Sequence, residues 1–156
     1  MKTLIIDNFI SELECNFFID FYEKNKNFSK KYRDVYPLEI PLVNPAIGFL
    51  KLKLNKISKD FNAEIDWLQI VKWPINSKQD LHIDDASKDT ILSSITYLND
   101  NFTGGQTYFE KDIMFIPKRG RSLFFDGKYY RHGVTPVEKN IRYVVAVWYK
   151  KLNPSS

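Results

Sequence analysis

With 156 residues, 44% of them hydrophobic and 27% charged, the chain has apolar material for one core and too little length for two ordinary domains. The formal net charge of +4 is spread over lysines such as Lys24, Lys26, Lys30 and Lys31, with no basic run interleaved with aromatics, so it reads as solvated surface and excludes the familiar nucleic-acid modules. The single cysteine, Cys15, cannot close an intrachain disulfide, and the apolar start Leu4-Ile5-Ile6 is broken at once by Asp7, too short for a signal peptide or a membrane span. A cytoplasmic protein is expected, with neither nucleic acid nor membrane among its partners and an oligomeric state the sequence leaves open.

Leu4-Ile5-Ile6 predicts a short strand, with Asp7-Asn8 as its exit. Ser11-Glu12-Leu13-Glu14 has the form of a capping box, so a helix should begin there. Leu13, Phe17, Phe18, Phe21 and Tyr22 recur at three and four residues and predict its apolar stripe, fading near Asn25 to Asn27. The stretch from Phe28 to Pro45 carries Pro37, Pro41 and Pro45 without a clean period and predicts an irregular connection, a candidate cover for a site. Ile47, Leu50, Leu54, Ile57 and Phe61 restore helical spacing and predict a second amphipathic helix ending near Asn62.

From Ala63 the period changes to two. Ile65, Trp67, Gln69, Val71 and Trp73 alternate, which predicts a strand stopped by Pro74. Further strands are expected at Thr90–Leu98, Thr107–Glu110, Ile113–Ile116, Ser122–Phe125, His132–Pro136 and Tyr143–Tyr149, separated by turn signals such as Gly104-Gly105 and Asp126-Gly127. Helices followed by many short strands predict an α+β, mainly β, fold. One domain over 1–156 is expected, with helical support over about 1–62 and a sandwich or barrel of strands over about 63–150.

The chain holds two histidines. One opens His82-Ile83-Asp84 and the other stands fifty positions later in Arg131-His132-Gly133-Val134. In an extended segment residues i and i+2 share a face, so His82 and Asp84 can reach one metal together and His132 can complete a triangular set. Two imidazoles and a carboxylate suit Fe(II) with positions left open, whereas a closed structural zinc site would want a fourth protein ligand. Taken alone, His-x-Asp is equally the form of a surface hydrogen-bonding pair, and His132 before Gly133 could simply cap a strand end. Arg142 adds a second element, because it opens the apolar run Tyr143 to Trp148, where a guanidinium needs an anionic partner such as a carboxylate.

The order of these elements resembles a known family. His82-Ile83-Asp84, then Ile95-Thr96-Tyr97-Leu98-Asn99, Phe102-Thr103-Gly104-Gly105-Gln106-Thr107, Pro117 with Gly120, His132-Gly133-Val134-Thr135-Pro136-Val137 and Arg142-Tyr143 are similar to the catalytic domain of the prolyl 4-hydroxylase-like Fe(II)/2-oxoglutarate-dependent dioxygenases. The resemblance spans about residues 65–149. It implies a double-stranded β-helix, or jelly roll, backed by N-terminal helices.

The resemblance also implies His82, Asp84 and His132 as iron ligands, and Arg142 with Tyr97 as the holders of the distal carboxylate of 2-oxoglutarate. Trp73 takes the place where many relatives have a tyrosine lining the co-substrate pocket, and Asn76 stands where a glycine is usual. The implied cofactors are Fe(II), 2-oxoglutarate and O2, with ascorbate as an optional reductant. The implied reaction is hydroxylation of a C–H bond, foremost prolyl 4-hydroxylation of a protein or peptide. A hydroxylase of a non-prolyl residue or small molecule, or an inactive jelly-roll binding module, are the alternatives. Lys128-Tyr129-Tyr130-Arg131, just before His132, is a candidate basic and aromatic rim for the substrate.

Overall fold

The structure is a computed structural model, and it describes residues 3–154. Ser11 starts the first helix, α1 (Glu12–Asn25), by the expected reciprocal cap: Glu14 N–H donates to Ser11 Oγ at 3.1 Å and Ser11 N–H to Glu14 Oε1 at 3.0 Å. The buried stripe of α1 is Cys15, Phe18 and Tyr22. Leu13 and Phe17, expected in that stripe, are 81% and 50% exposed. The i, i+3, i+7 row through Cys15 faces the sheet, and at 100° per residue Leu13 and Phe17 fall on the opposite side. The second helix, α2 (Gly48–Ser58), buries Leu50 and Leu54 as expected, after a 3₁₀ turn that buries Ile47. A second 3₁₀ turn follows α2, and Asn62, in the left-handed region at φ 55°, ends it.

Among the described residues twelve strands follow the chain order β1 (Thr3–Ile6), β2 (Tyr36–Glu39), β3 (Ala63–Trp73), β4 (Gln79–His82), β5 (Thr90–Tyr97), β6 (Thr103–Gly104), β7 (Thr107–Phe109), β8 (Ile113–Phe115), β9 (Ser122–Phe125), β10 (His132–Val134), β11 (Val137–Lys139) and β12 (Arg142–Lys151). A six-stranded sheet has the order β1-β9-β5-β12-β3-β2, and a four-stranded sheet the order β4-β10-β7-β8; β11 and β6 form a separate pair. All pairings are antiparallel. Two of the large sheet's strands, β1 and β2, come from the first 62 residues, so that part supplies more than helical support. The segment expected to be an irregular connection contains β2, paired with β3 from Tyr36↔Lys72 to Glu39↔Gln69. Pro37 is tolerated because β2 is an edge strand, and its missing N–H breaks no ladder.

The central strand β12 explains the layering. Tyr143, Val145, Val147 and Tyr149 join the core beneath the helices, with Phe18, Tyr22, Leu50, Leu54, Leu68 and Ile70. Val144 and Ala146 join the core between the two sheets, with Val71, Trp73, Tyr97, Phe109, Phe125 and Val134. A strand covered on both faces reads as an unbroken apolar run, which is how Tyr143 to Trp148 reads.

In β3, Trp67, Gln69, Val71 and Trp73 keep the expected common face. Ile65 departs from it and packs under the helices. A bulge causes the switch: the register passes from Trp148↔Trp67 to Tyr149↔Ile65, leaving Asp66 unpaired. Similarly, the strand expected at His132–Pro136 stops at Val134. Val137–Lys139 leaves the small sheet to pair with β6.

Candidate active site

His82 ends β4 and His132 begins β10, and the two are direct partners across the antiparallel pair. Their rings therefore lie with centroids 4.4 Å apart. Asp84 stands two residues beyond the end of β4, held from three sides. Its N–H donates to Gly127 O at 2.8 Å, its Oδ2 accepts from Ser93 Oγ at 2.6 Å, and its Oδ1 lies 3.1 Å from His132 Nε2 and 3.4 Å from His82 Nε2. The set assembles by cross-strand register plus a loop, rather than by two residues on one face of a strand.

Each imidazole is oriented by a backbone carbonyl. His82 Nδ1 lies 2.9 Å from Asp80 O, and His132 Nδ1 lies 2.9 Å from Tyr130 O. A carbonyl only accepts, so Nδ1 carries a proton and each Nε2 is turned toward the Asp84 carboxylate, donating to it when protonated and offering a lone pair once that proton is lost. Deprotonated at Nε2, the two rings and the carboxylate offer three electron-rich atoms to a single cation. Among the described residues, these three form the group able to hold a metal ion, with donor atoms within 4.8 Å of one another. The electrostatics agree. Burial favours a neutral Asp84, but hydrogen bonds from His132, His82 and Ser93 outweigh it and hold the carboxyl well below the usual carboxylate range. Burial also works against a charged His82, and the hydrogen bonds to Asp84 and to Asp80 O outweigh it, so its pKa is raised.

The three residues sit in the wall of a cavity of about 470 Å3 between the sheets. Arg142, at the start of β12, points into the same space and is 1% exposed. Its Nη2 lies 3.3 Å from Thr107 Oγ1, while Nε and Nη1 have no partner among the described residues. The guanidinium rests 4.7 Å from the Trp73 ring and 5.4 Å from the Tyr97 ring. Burial lowers its pKa, and the Tyr97 hydroxyl partly offsets this. A buried cation with two unused donors is costly unless an anion joins it. Trp73 Nε1, in the same cavity wall, is likewise buried without a partner. The unused donors fit one end of a dicarboxylate, and the His-Asp-His set fits a metal, so the residues present suit both members of an Fe(II)/2-oxoglutarate pair.

Tyr97 stands differently from expectation. Its hydroxyl is 2.6 Å from Thr107 Oγ1 and its ring lies under the guanidinium. Thr107, rather than Tyr97, lines the cavity. Lys128, Tyr129, Tyr130 and Arg131 do not line it at all: Tyr129 is 76% exposed, Arg131 lies 3.7 Å from Glu110, and Tyr130 acts through the carbonyl that orients His132. Lys30, Lys31, Tyr32, Val35 and Pro37 line it instead, so the stretch expected to cover a site does border this one. Asn76, at φ 74°, occupies the left-handed region, where asparagine is the best substitute for glycine.

Sequence reasoning missed Ser93, Thr107 and Gly127. A Cβ on Gly127 would lie 2.3 Å from Asp84 Oδ2 and 2.6 Å from Ser93 Oγ. The available signal was a polar residue in an apolar strand for Ser93, and a second purpose in the turn Asp126-Gly127. Neither says what it faces.

The model of the 2OG-Fe(II) oxygenase superfamily matches residues 68–150. This chain belongs to that superfamily. The oxygenase is 26% identical over 184 residues to a protein of Acanthamoeba polyphaga mimivirus named "Putative prolyl 4-hydroxylase", covering 96% of this chain and 74% of the relative. Its fold matches the viral collagen prolyl hydroxylase of Paramecium Bursaria Chlorella virus-1, solved with 2OG, at a TM-score of 0.80 and 19% identity over 98% of this chain and 97% of that one. It also matches a Pseudomonas putida prolyl-4-hydroxylase at a TM-score of 0.82 and 14% identity, over 97% and 93% of the two chains. The expected jelly roll is therefore the fold, and the family implies Fe(II), 2-oxoglutarate and O2. No helix among the described residues is long and apolar enough to cross a membrane.

Proposed function

We propose that this oxygenase hydroxylates a proline of a protein or peptide at C4. The carrying observation is the pairing, within one cavity, of a His-Asp-His set with a buried guanidinium whose Nε and Nη1 are unused. Similarity over nearly the whole chain to prolyl hydroxylases supports the substrate class.

In this reading His82, Asp84 and His132 hold Fe(II) through Nε2, a carboxylate oxygen and Nε2. Iron and 2-oxoglutarate, when bound with O2, supply the oxidising chemistry: the co-substrate becomes succinate and CO2, and one oxygen atom is delivered to the substrate C–H bond. Arg142 would receive the distal carboxylate through an unused donor, Nε or Nη1, Trp73 would add its indole N–H, and Tyr97 positions the guanidinium from below while its hydroxyl holds Thr107. The Asp80 and Tyr130 carbonyls keep both imidazoles in the ligating tautomer, and Ser93 fixes the Asp84 carboxylate. Val71, Phe125, Val134 and Val144 exclude water around the reacting centre.

The test is an anaerobic titration with Fe(II) and 2-oxoglutarate, followed by succinate release on proline-containing peptides, with and without ascorbate, and mass detection of one added oxygen. The expected results are a spectral change on forming the ternary complex and a hydroxyproline product. Oxygen appearing only on non-prolyl residues or small molecules would replace the substrate class. No spectral change with both partners present would sink the oxygenase reading of the site.

A further inference from the structure

The helices cover the face of the large sheet opposite the cavity, and their own outer face carries large exposed apolar side chains. On α2, Phe49 is 80% exposed and Leu52 69%, and Val43 in the lead-in is 88% exposed. These residues are not scattered. Phe49, Leu52, Lys56 and Lys59 follow i, i+3, i+7 and i+10, which is one continuous row diametrically opposite the buried Leu50, Leu54 and Ser58. The core stripe Ile47, Leu50, Leu54, Ile57 and Phe61 needs neither Phe49 nor Leu52. The sequence Gly48–Ser58 contains Lys51, Lys53 and Lys56 and no acidic residue. Lys53 is matched by Glu14 at 3.3 Å, whereas Lys56 and Lys59 are exposed in the same row as Phe49 and Leu52.

We propose that this outer row of α2, with Val43, docks the protein on an anionic lipid bilayer. An aromatic and two aliphatic side chains flanked by the exposed Lys56 and Lys59 match a surface that offers apolar depth beneath negative headgroups. A second copy of the chain is a poorer occupant, because a two-fold contact would set the same lysines against each other. The geometry leaves the cavity free. Val145, Val147 and Tyr149 of β12 face the helices, whereas Arg142, Val144, Ala146 and Trp148 face the cavity, so a docked molecule keeps its active site turned to solution. This revises the expectation of no membrane partner, which rested on the lack of a spanning segment and did not address a peripheral face.

The test is sedimentation of the full chain with vesicles of phosphatidylcholine alone or with added phosphatidylserine, alongside Phe49→Asp/Leu52→Asp and Lys56→Glu/Lys59→Glu variants. All four positions are outside the cores, and thermal melts and 2-oxoglutarate turnover should stay at the parent level. The expected result is binding to the phosphatidylserine vesicles that weakens with salt and falls at least about tenfold in each variant. No binding to the anionic vesicles, or binding that both variants leave intact, would overturn the proposal. So would a dimer in solution that Phe49→Asp/Leu52→Asp dissolves, or capture by an acidic soluble protein without affinity for vesicles.

Discussion

Gly127 and Asp84 approach so closely that a methyl group on the glycine would lie 2.3 Å from the carboxylate Oδ2. The same oxygen accepts from Ser93 Oγ at 2.6 Å. Gly127→Ala must push Asp84 aside, and Ser93→Ala must leave one carboxylate oxygen without its donor. On the proposed ligand assignment, each variant should weaken Fe(II) binding by about 10- to 100-fold, the usual effect of losing a partner of a ligand. Anaerobic metal titration measures this, and melting of the metal-free protein separates it from misfolding. Parent affinity in Gly127→Ala would show that Asp84 is not a ligand.

Arg142 makes a sharper split between binding and stability. Its guanidinium is buried with Nε and Nη1 unused, so the protein without co-substrate carries an uncompensated charge. Arg142→Met fills similar volume without that charge. The metal-free variant should melt no lower than the parent, whereas 2-oxoglutarate binding should weaken by at least about 30-fold, from the loss of a buried charge-assisted pair worth about 2 kcal/mol or more. Fe(II) affinity should hold. Equal losses for iron and 2-oxoglutarate would assign Arg142 to the fold rather than to the co-substrate.

Much of this was legible in the chain itself, for identifiable reasons. Ser11 and Glu14 announce α1 because a cap is local, and β12 announces its central place because covering both faces demands an unbroken apolar run. The candidate site residues His82, Asp84, His132 and Arg142 stood out because each is a costly side chain in an otherwise apolar or rarely used context. What was not legible depends on contacts distant in sequence. The bulge at Asp66 that turns Ile65 away from Trp67 is a property of pairing with Trp148 and Tyr149. The exposure of Leu13 and Phe17 depends on which side of α1 meets the sheet, and apolar spacing allowed more than one. Gly127 reads as a turn residue until Asp84, forty-three positions earlier, is seen against it.

Trp73 supplies a separate test of the co-substrate end. Its indole lies 4.7 Å from the guanidinium, and Nε1 is buried without a partner. Trp73→Phe keeps an aromatic ring near Arg142 and removes the donor. One hydrogen bond to a charged group, about 1.5 kcal/mol, corresponds to a rise of about tenfold in the KM for 2-oxoglutarate, with Fe(II) affinity unchanged. An unchanged KM would mean that the indole N–H does not meet the co-substrate and that Trp73 acts as a wall alone.

On the proposed ligand assignment, protonation of His82 gives metal binding a pH dependence. Its pKa is raised above the ordinary 6.5, because the hydrogen bonds to Asp84 and Asp80 O outweigh burial, which acts in the other direction. A raised pKa means that the proton is still bound at pH values where a free histidine has lost it. As Nε2 must give up that proton before it can ligate, metal and proton compete, and a growing share of the metal-free protein carries the proton as pH falls. Asp84, held well below the usual carboxylate range, remains ionised and adds no proton competition near neutrality. Fe(II) affinity should therefore decline on acidification, with the loss beginning above pH 6.5 and continuing below it. Anaerobic titrations at a series of pH values from about 8 to about 5 read this directly. A flat affinity over that range would show that His82 is not among the ligands, whereas restoration of the loss by returning the same sample to the higher pH would exclude acid damage to the fold.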